Sequence, residues 1–305
     1  MLSNNLLNRI HCIKCANNLA SEGDDILCCK SCGASYSSTN DIPQLIEGIP
    51  VEEQDWNEWN TAELIKIGDS YKKRSTGELP EKEASKSYCN ILKHKGLYCK
   101  GDSILDVGSA CGHFYYSFYT RLDKDIDYTG IDTTYKFLEW GKDLYKGHQN
   151  TDFVHGDALK LPFKNNSFDT LIVNLYHFFP NLTDVLSEAI RVAKKQVLWR
   201  TPIGEYNYAI KMISDNDFHK IGTITPNRDD YNYTLSMMYT KEYLYDLVSS
   251  LDARIEFIER DLDFGDFDNN ALSEFSMAST RSVNGIQTNG NLVFDWHYVN
   301  IIPNN

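Results

Sequence analysis

The chain has 305 residues, 42% of them hydrophobic and 24% charged, with 43 acidic against 30 basic side chains and a formal net charge of −13. That size and balance describe a globular chain of one large domain with room for a smaller one, and the negative charge disfavours nucleic acid as a partner. No apolar run approaches the roughly 20 residues needed to span a bilayer, and the amino terminus lacks a basic stretch followed by an apolar one, so the expected location is the cytoplasm with no membrane contact.

The first feature along the chain is a pair of Cys-x-x-Cys knuckles, Cys12 with Cys15 and Cys29 with Cys32, separated by 13 residues. Each knuckle directs two thiolates at one point, and two knuckles complete a tetrahedron around a structural Zn2+. So few apolar residues lie between positions 10 and 40 that this segment needs a metal in order to fold. Cys28 competes with Cys29, but the spacing favours Cys29. Residues 1–50 are therefore read as a zinc-ribbon module. They carry three basic residues (Arg9, Lys14, Lys30) against five acidic ones (Glu22, Asp24, Asp25, Asp41, Glu47), which suits a structural or protein-contacting role better than a grip on RNA.

Residues 51–100 are read as a helical cap, with helices at about 52–74 and 82–95 and Trp56, Trp59, Leu64 and Ile65 forming the apolar face of the first. Residues 101–305 then form one α/β domain. Its signature is Ser103–His113, a buried strand running into a turn of tiny residues, Gly108, Ser109, Ala110, Cys111 and Gly112, and then into a helix. Such a turn lets the backbone approach a nucleoside-bearing ligand and presents free helical N–H groups beside it. Asp106, at the strand end, favours a cationic ligand such as S-adenosylmethionine over a dinucleotide pyrophosphate. A second strand, Tyr128–Asp132, places Asp132 where two ribose hydroxyls can donate to one carboxylate; the bland alternative is a helix cap before Thr133 and Thr134. A third, Asp152–Ala158, ends with Asp157 positioned to accept from an adenine amino group and Ala158 N–H positioned to donate to the ring.

Strand, acid and turn in this order resemble the class I S-adenosylmethionine-dependent methyltransferases, clearly over about residues 85–200. The resemblance is carried by Asp106–Gly112, Asp132, Gly156–Phe163 and the fourth strand Ser167–Asn174, followed by a helix near Leu186–Val192 and a fifth strand at Gln196–Arg200. It implies a doubly wound, Rossmann-like seven-stranded sheet and S-adenosyl-L-methionine as cofactor, held by Asp106, Gly108, Ser109, Ala110, Gly112, Asp132, Thr133, Asp157, Ala158 and Asn174. Ala110 stands where the family usually has glycine, which a methyl tolerates if φ is negative. The ribbon is similar to modules found on ribosomal RNA guanine methyltransferases and on activating partner subunits, so a protein partner through the ribbon is an open reading.

Past the fourth strand, Asn174–Phe179 lies where the methyl group would sit, and His177 has the side chain there suited to deprotonate an acceptor near neutral pH; packing among aromatics is its other reading. The prolines that accompany amino methylation of nucleobases are missing from this loop, and no cysteine follows the strand. The expected acceptor is an O or N atom of a small molecule such as a sugar, a ring or a biosynthetic intermediate. Residues 201–239, rich in tyrosine, are read as a substrate-lid insertion. A capped helix from Thr240, a strand at Arg254–Glu259, a polar mobile loop over Asp261–Asn291 and a last strand from Leu292 complete the chain. Residues 201–305 carry seven basic against sixteen acidic residues, a solvated face or a preference for neutral or cationic substrates. Three rivals stand beside this reading: a ribosomal RNA base methyltransferase, a catalytically silent scaffold, and a nicotinamide oxidoreductase.

Overall fold

A computed structural model describes residues 2–23, 25–47, 61–174, 178–179, 181–213, 233–261, 280–283, 286–289, 292–293 and 296–304. The amino-terminal module holds α1 (Asn4–Arg9), β1 (Ala20–Ser21), β2 (Ile26–Cys28), β3 (Ser35–Thr39) and β4 (Ile42–Leu45); α2 (Thr61–Ser75) and α3 (Glu83–His94) follow. The α/β portion begins with β5 (Ser103–Val107), α4 (His113–Arg121), β6 (Asp127–Asp132), α5 (Tyr135–Leu144), β7 (Thr151–Gly156), β8 (Phe168–Val173), α6 (Leu182–Val192) and β9 (Ala193–Pro202). It continues through β10 (Tyr208–Ile213), β11 (Tyr233–Met238), α7 (Lys241–Ser250), β12 (Ala253–Arg260), β13 (Thr280–Val283), β14 (Ile286–Asn289), β15 (Leu292–Val293) and β16 (Trp296–Pro303).

Strand, turn and helix alternate from β5 to β9, and strands so connected lie parallel with helices on their faces. β5 is accordingly buried at all five positions. In α6, Leu182, Val185, Leu186, Ala189 and Ile190 recur at helical spacing and are all buried, and the Asn181 side chain caps the first turn by accepting from the Asp184 N–H. The mixed sheet runs β1-β2-β3-β4-β7-β6-β5-β8-β9-β16-β12. Among the described residues it has eleven strands: seven from the α/β domain, β7-β6-β5-β8-β9-β16-β12, the number expected there, and four from the amino-terminal module, which β4 brings onto that edge by pairing parallel with β7. β16 runs antiparallel to both β9 and β12.

The amino-terminal module shares a core with the sheet: Leu6, Ile10, Leu27 and Leu45 pack in one buried cluster with Ile131, Val154, Leu161 and Phe163. Arg9 donates twice to the Asp127 carboxylate, at 2.8 and 2.6 Å, with its guanidinium over Phe168.

Two expectations change, on the first cap helix and on the polar stretch near the carboxyl end. The first cap helix is described over Thr61–Ser75; Trp56, Trp59 and the side chain of Leu64 lie outside the described residues, and Ile65, expected on the apolar face, is 51% exposed, while Ile67 and Tyr71 turn inward against Ala110 and Phe137. Within 201–239, read as a lid insertion, β10 and β11 pair antiparallel in a separate two-stranded sheet, and residues 214–232 between them lie outside the described residues. The polar stretch expected as a loop carries β13 and β14, which join β15 in a three-stranded meander, and the last long strand starts at Trp296 rather than Leu292. Among the described residues no helix is long and apolar enough to cross a membrane.

Candidate cofactor site

The carboxyl ends of β7, β6, β5 and β8 are neighbours in the sheet, so Asp157, Asp132, the glycine turn and Asn174 follow one another along a single edge. Ligands of open α/β sheets bind at this edge. Gly108 and Ser109 both donate their N–H to the Ile131 carbonyl, at 2.9 and 3.0 Å, fastening the turn to β6. Gly108, Ala110 and Gly112 all have positive φ, +77°, +48° and +75°. The condition on which a methyl at Ala110 is tolerated without strain, a negative φ, is not met: the turn holds this residue in the left-handed region that glycine occupies freely. At Gly112 a Cβ would lie 3.0 Å from Phe153 and 3.1 Å from Tyr145.

Asp132 completes the turn. One carboxylate oxygen accepts from Ala110 N–H at 2.9 Å and the other from Thr134 N–H at 2.8 Å, while Thr134, not Asp132, occupies the cap position of α5. Two N–H donors leave further lone pairs on the carboxylate for hydroxyl donors. Burial raises its pKa against the pull of those two backbone donors. Thr133 is exposed, and its carbonyl faces the buried His155 Nε2 at 3.0 Å. Ser109 is fully buried; Gly130 on β6 must lack a side chain because its Cβ would stand 2.6 Å from the Ser109 hydroxyl. Sequence reading passed over Gly130, and only strand pairing reveals the conflict.

Asp106 points into the protein. It is 2% exposed and accepts from Tyr128 OH at 2.6 Å; burial, with the Asp132 charge adding to it and the Tyr128 bond opposing, pushes its pKa up to about 7. At the third strand, Asp157 accepts from Leu159 N–H at 2.9 Å in a tight turn, with Ala158 half-buried beside it. Asn174 Oδ1 is buried without a hydrogen-bond partner among the described residues, an acceptor left open on the edge where a ligand is expected. His177 lies outside the described residues.

A group of bases that sequence reading did not find stands over the turn. His113, the first residue of α4, stacks on Tyr71 of α2 with ring centroids 4.4 Å apart, and Lys82 Nζ donates to Tyr71 OH at 3.0 Å. Burial and the neighbouring Arg74 charge lower the Lys82 pKa to about 7; burial, Lys82 and Arg74 hold His113 well below the usual imidazole range. Among the described residues no carboxylate pairs with Lys82, and the buried His113 Nδ1 has no hydrogen-bond partner. The charges of Lys82 and Arg74 act on His113, the first residue of α4, so the positive end of that helix and two basic side chains share this corner, a setting that favours an anion. His113 adjoins the glycine motif and was visible in the sequence; the approach of Lys82 was not, because it depends on how the cap folds back.

In the amino-terminal module, the sulfurs of Cys12, Cys15, Cys29 and Cys32 all lie within 4.8 Å of one another. The two knuckles share a geometry: Ala16 N–H returns to the Cys12 carbonyl at 2.7 Å and Gly33 N–H to the Cys29 carbonyl at 2.8 Å. Tetrahedral zinc with Zn–S bonds near 2.3 Å separates its sulfurs by about 3.8 Å, so the donor set and its span fit that ion. Cys28 faces Ser35 at 3.3 Å, outside the cluster. All eight cysteines are free.

Residues 104–196 match the family model described as "Methyltransferase domain". A demethylmenaquinone methyltransferase of Staphylococcus aureus is 33% identical over 105 residues, 34% of this chain and 43% of the relative. The match thus spans less than half the length of the curated relatives. Among solved structures, magnesium protoporphyrin IX methyltransferase from Synechocystis with bound SAH is 12% identical, with a TM-score of 0.43 over 72% of this chain and 82% of that one. The YcgJ protein from Bacillus subtilis is 18% identical, with a TM-score of 0.42 over 72% and 99%.

Proposed function

We propose that this chain, which carries a methyltransferase domain, transfers a methyl group from S-adenosylmethionine to an O or N atom of a small molecule. The observation that carries the reading is Asp132, whose carboxylate holds the Ala110 amide of the glycine turn and still has lone pairs for a cis-diol. On this reading Asp157 and the Ala158 N–H receive the adenine, Asp132 the ribose, and Lys82, His113 and the α4 amides the carboxylate of the amino-acid end. Gly108, Ser109, Gly112 and Thr133 shape the backbone around them. Asn174 Oδ1 is the open acceptor for an ammonium or hydroxyl donor at the reacting end. Asp106 supports the site through Tyr128, from beneath.

The cofactor, when bound, supplies an electrophilic methyl on a sulfonium. Displacement there is in-line, so what the protein contributes is placement of the acceptor lone pair and exclusion of water. His177 is assigned the general base, taking the acceptor proton at an imidazole nitrogen. Four thiolates from Cys12, Cys15, Cys29 and Cys32 are assigned a structural zinc ion. A quinone-type ring is the first acceptor to screen, because the curated Staphylococcus aureus relative is named for demethylmenaquinone.

Calorimetric titration tests the reading. S-Adenosylmethionine and S-adenosylhomocysteine are expected to bind at micromolar concentration and NAD not at all. Asp132→Ala should weaken both by about 1.5–3 kcal/mol, the scale of a hydrogen bond to a charged group. Unchanged affinity in a folded Asp132→Ala protein removes the ribose assignment, and no binding by the parent chain removes the cofactor.

A further inference from the structure

We propose that the four-cysteine module is a clamp on the loop that receives the adenine, so that the metal sets cofactor affinity from outside the cleft. The proposal rests on the cofactor reading above. The loop runs from Asp157 to Lys164, between β7 and β8. Loops at this edge are ordinarily mobile and held only by their own strands. Here both flanks are hydrogen-bonded to the amino-terminal module.

Upstream, β4 adds to the sheet as a parallel neighbour of β7, with Gln44 level with His155 and Leu45 with Gly156, the two residues preceding Asp157. Glu47, just past β4, pairs with Lys160 in the loop at 2.8 Å. Downstream, His11 N–H donates to the Pro162 carbonyl at 3.0 Å and Lys164 N–H to the Arg9 carbonyl at 2.8 Å, on either side of an Ile10–Phe163 bridge.

The two holding segments converge on the thiols. Cys12 follows His11 directly. β4 is hairpinned to β3, whose Tyr36 hydroxyl lies 3.1 Å from Cys12 Sγ, and the same β3 pairs with β2, which leads into Cys29. A metal bridging Cys12 and Cys15 to Cys29 and Cys32 therefore fixes the distance between the two segments that grip the loop. The module's buried apolar side chains, Leu6, Ile10, Leu27 and Leu45, pack onto the sheet core, so the metal adds its constraint to that packing at the thiol end, where the two segments meet.

The full chain tests this in zinc-loaded and chelator-stripped form by amide hydrogen exchange and by titration with S-adenosylhomocysteine and 5′-methylthioadenosine. Both ligands carry the adenosine, and only the first carries the amino acid. Stripping is expected to speed exchange at Leu159–Lys164 about tenfold or more while β5 and β8 keep their protection. It should weaken both ligands by the same factor, at least about fivefold, and zinc should restore both. Equal affinity and protection in the two forms overturn the clamp. So does loss of protection throughout β5, β8 and β9, which would assign the metal to the whole fold, and so does a chain that takes up no zinc. If the zinc-loaded chain binds neither ligand, the cofactor reading fails, and the exchange comparison alone still decides the clamp.

Discussion

Lys82 is the residue whose position has the sharpest consequence. Its ammonium is carried into the interior next to Arg74 and against Tyr71, and its pKa falls from 10.5 to about 7. The folded state then binds fewer protons than the unfolded chain between about pH 7 and 10.5. The penalty is therefore largest below pH 7, and stability recovers as pH rises through that window. Lys82→Met should accordingly melt higher than the parent protein at pH 6, by roughly 2 °C or more, with the difference shrinking toward pH 10. The same variant should bind S-adenosylhomocysteine several-fold more weakly while 5′-methylthioadenosine is unaffected. A stabilised protein with unchanged homocysteine binding would leave Lys82 without a cofactor role. At this scale the sequence was a partial guide. Asp132, Asp157 and the glycine turn could be read because each terminates a recognisable strand; Lys82 and Gly130 could not, because what makes them matter is a neighbour distant in sequence. Ala110 was noticed as a departure from glycine, but the sign of its φ depends on the folded turn.

Among the elements, the β3–β4 hairpin decides how the amino-terminal module meets the sheet. Thr39 pairs with Ile42, leaving Asn40 and Asp41 as a two-residue connection with φ of +54° and +59°. Two positive φ values in a two-residue hairpin are what a type I′ turn requires, and Asn-Gly suits it better than Asn-Asp. Asp41→Gly is expected to stabilise the zinc-loaded chain by about 0.5–1 kcal/mol, measured by urea unfolding monitored at the module, with cofactor affinity unchanged or improved. A loss of stability would mean that the Asp41 side chain contributes more than the turn strain it imposes. The strands from β5 to β9 were legible as short apolar runs closed by glycine or acid. β4 was not assigned as a sheet strand, since Ile42–Leu45 is brief, contains Pro43, and acquires its meaning from pairing with β7. β13 and β14 were missed for the related reason that Thr280–Val283 and Ile286–Asn289 are mostly polar, so hairpin pairing with each other, rather than an apolar pattern, makes them strands.

Over the whole molecule, the order β7-β6-β5-β8-β9-β16-β12 sets the reversal beside β5, where the chain turns from building one side of the sheet to the other, and a ligand-binding crevice forms at such a reversal. Alternating strands and helices made that architecture readable in advance, whereas fusion of the module to the sheet edge was not, since no local pattern records which distant strand a short segment will join. The fusion also bears on what the molecule can hold. The module has three basic residues, and one of them, Arg9, is committed to Asp127 and Phe168 within the protein. A protein that makes six to ten phosphate contacts loses about 10³–10⁵ in affinity between 50 and 200 mM salt, as released counterions are returned. With a net charge of −13 and so few cations on the module, this chain should bind ribosomal RNA fragments weakly at 50 mM salt, and any binding should change less than about tenfold by 200 mM. Filter binding across that range measures the slope directly. A steep slope with tight binding at low salt would reveal a basic track assembled from residues scattered in sequence, and the acceptor would then have to be sought in RNA; a flat, weak response keeps the search among small molecules.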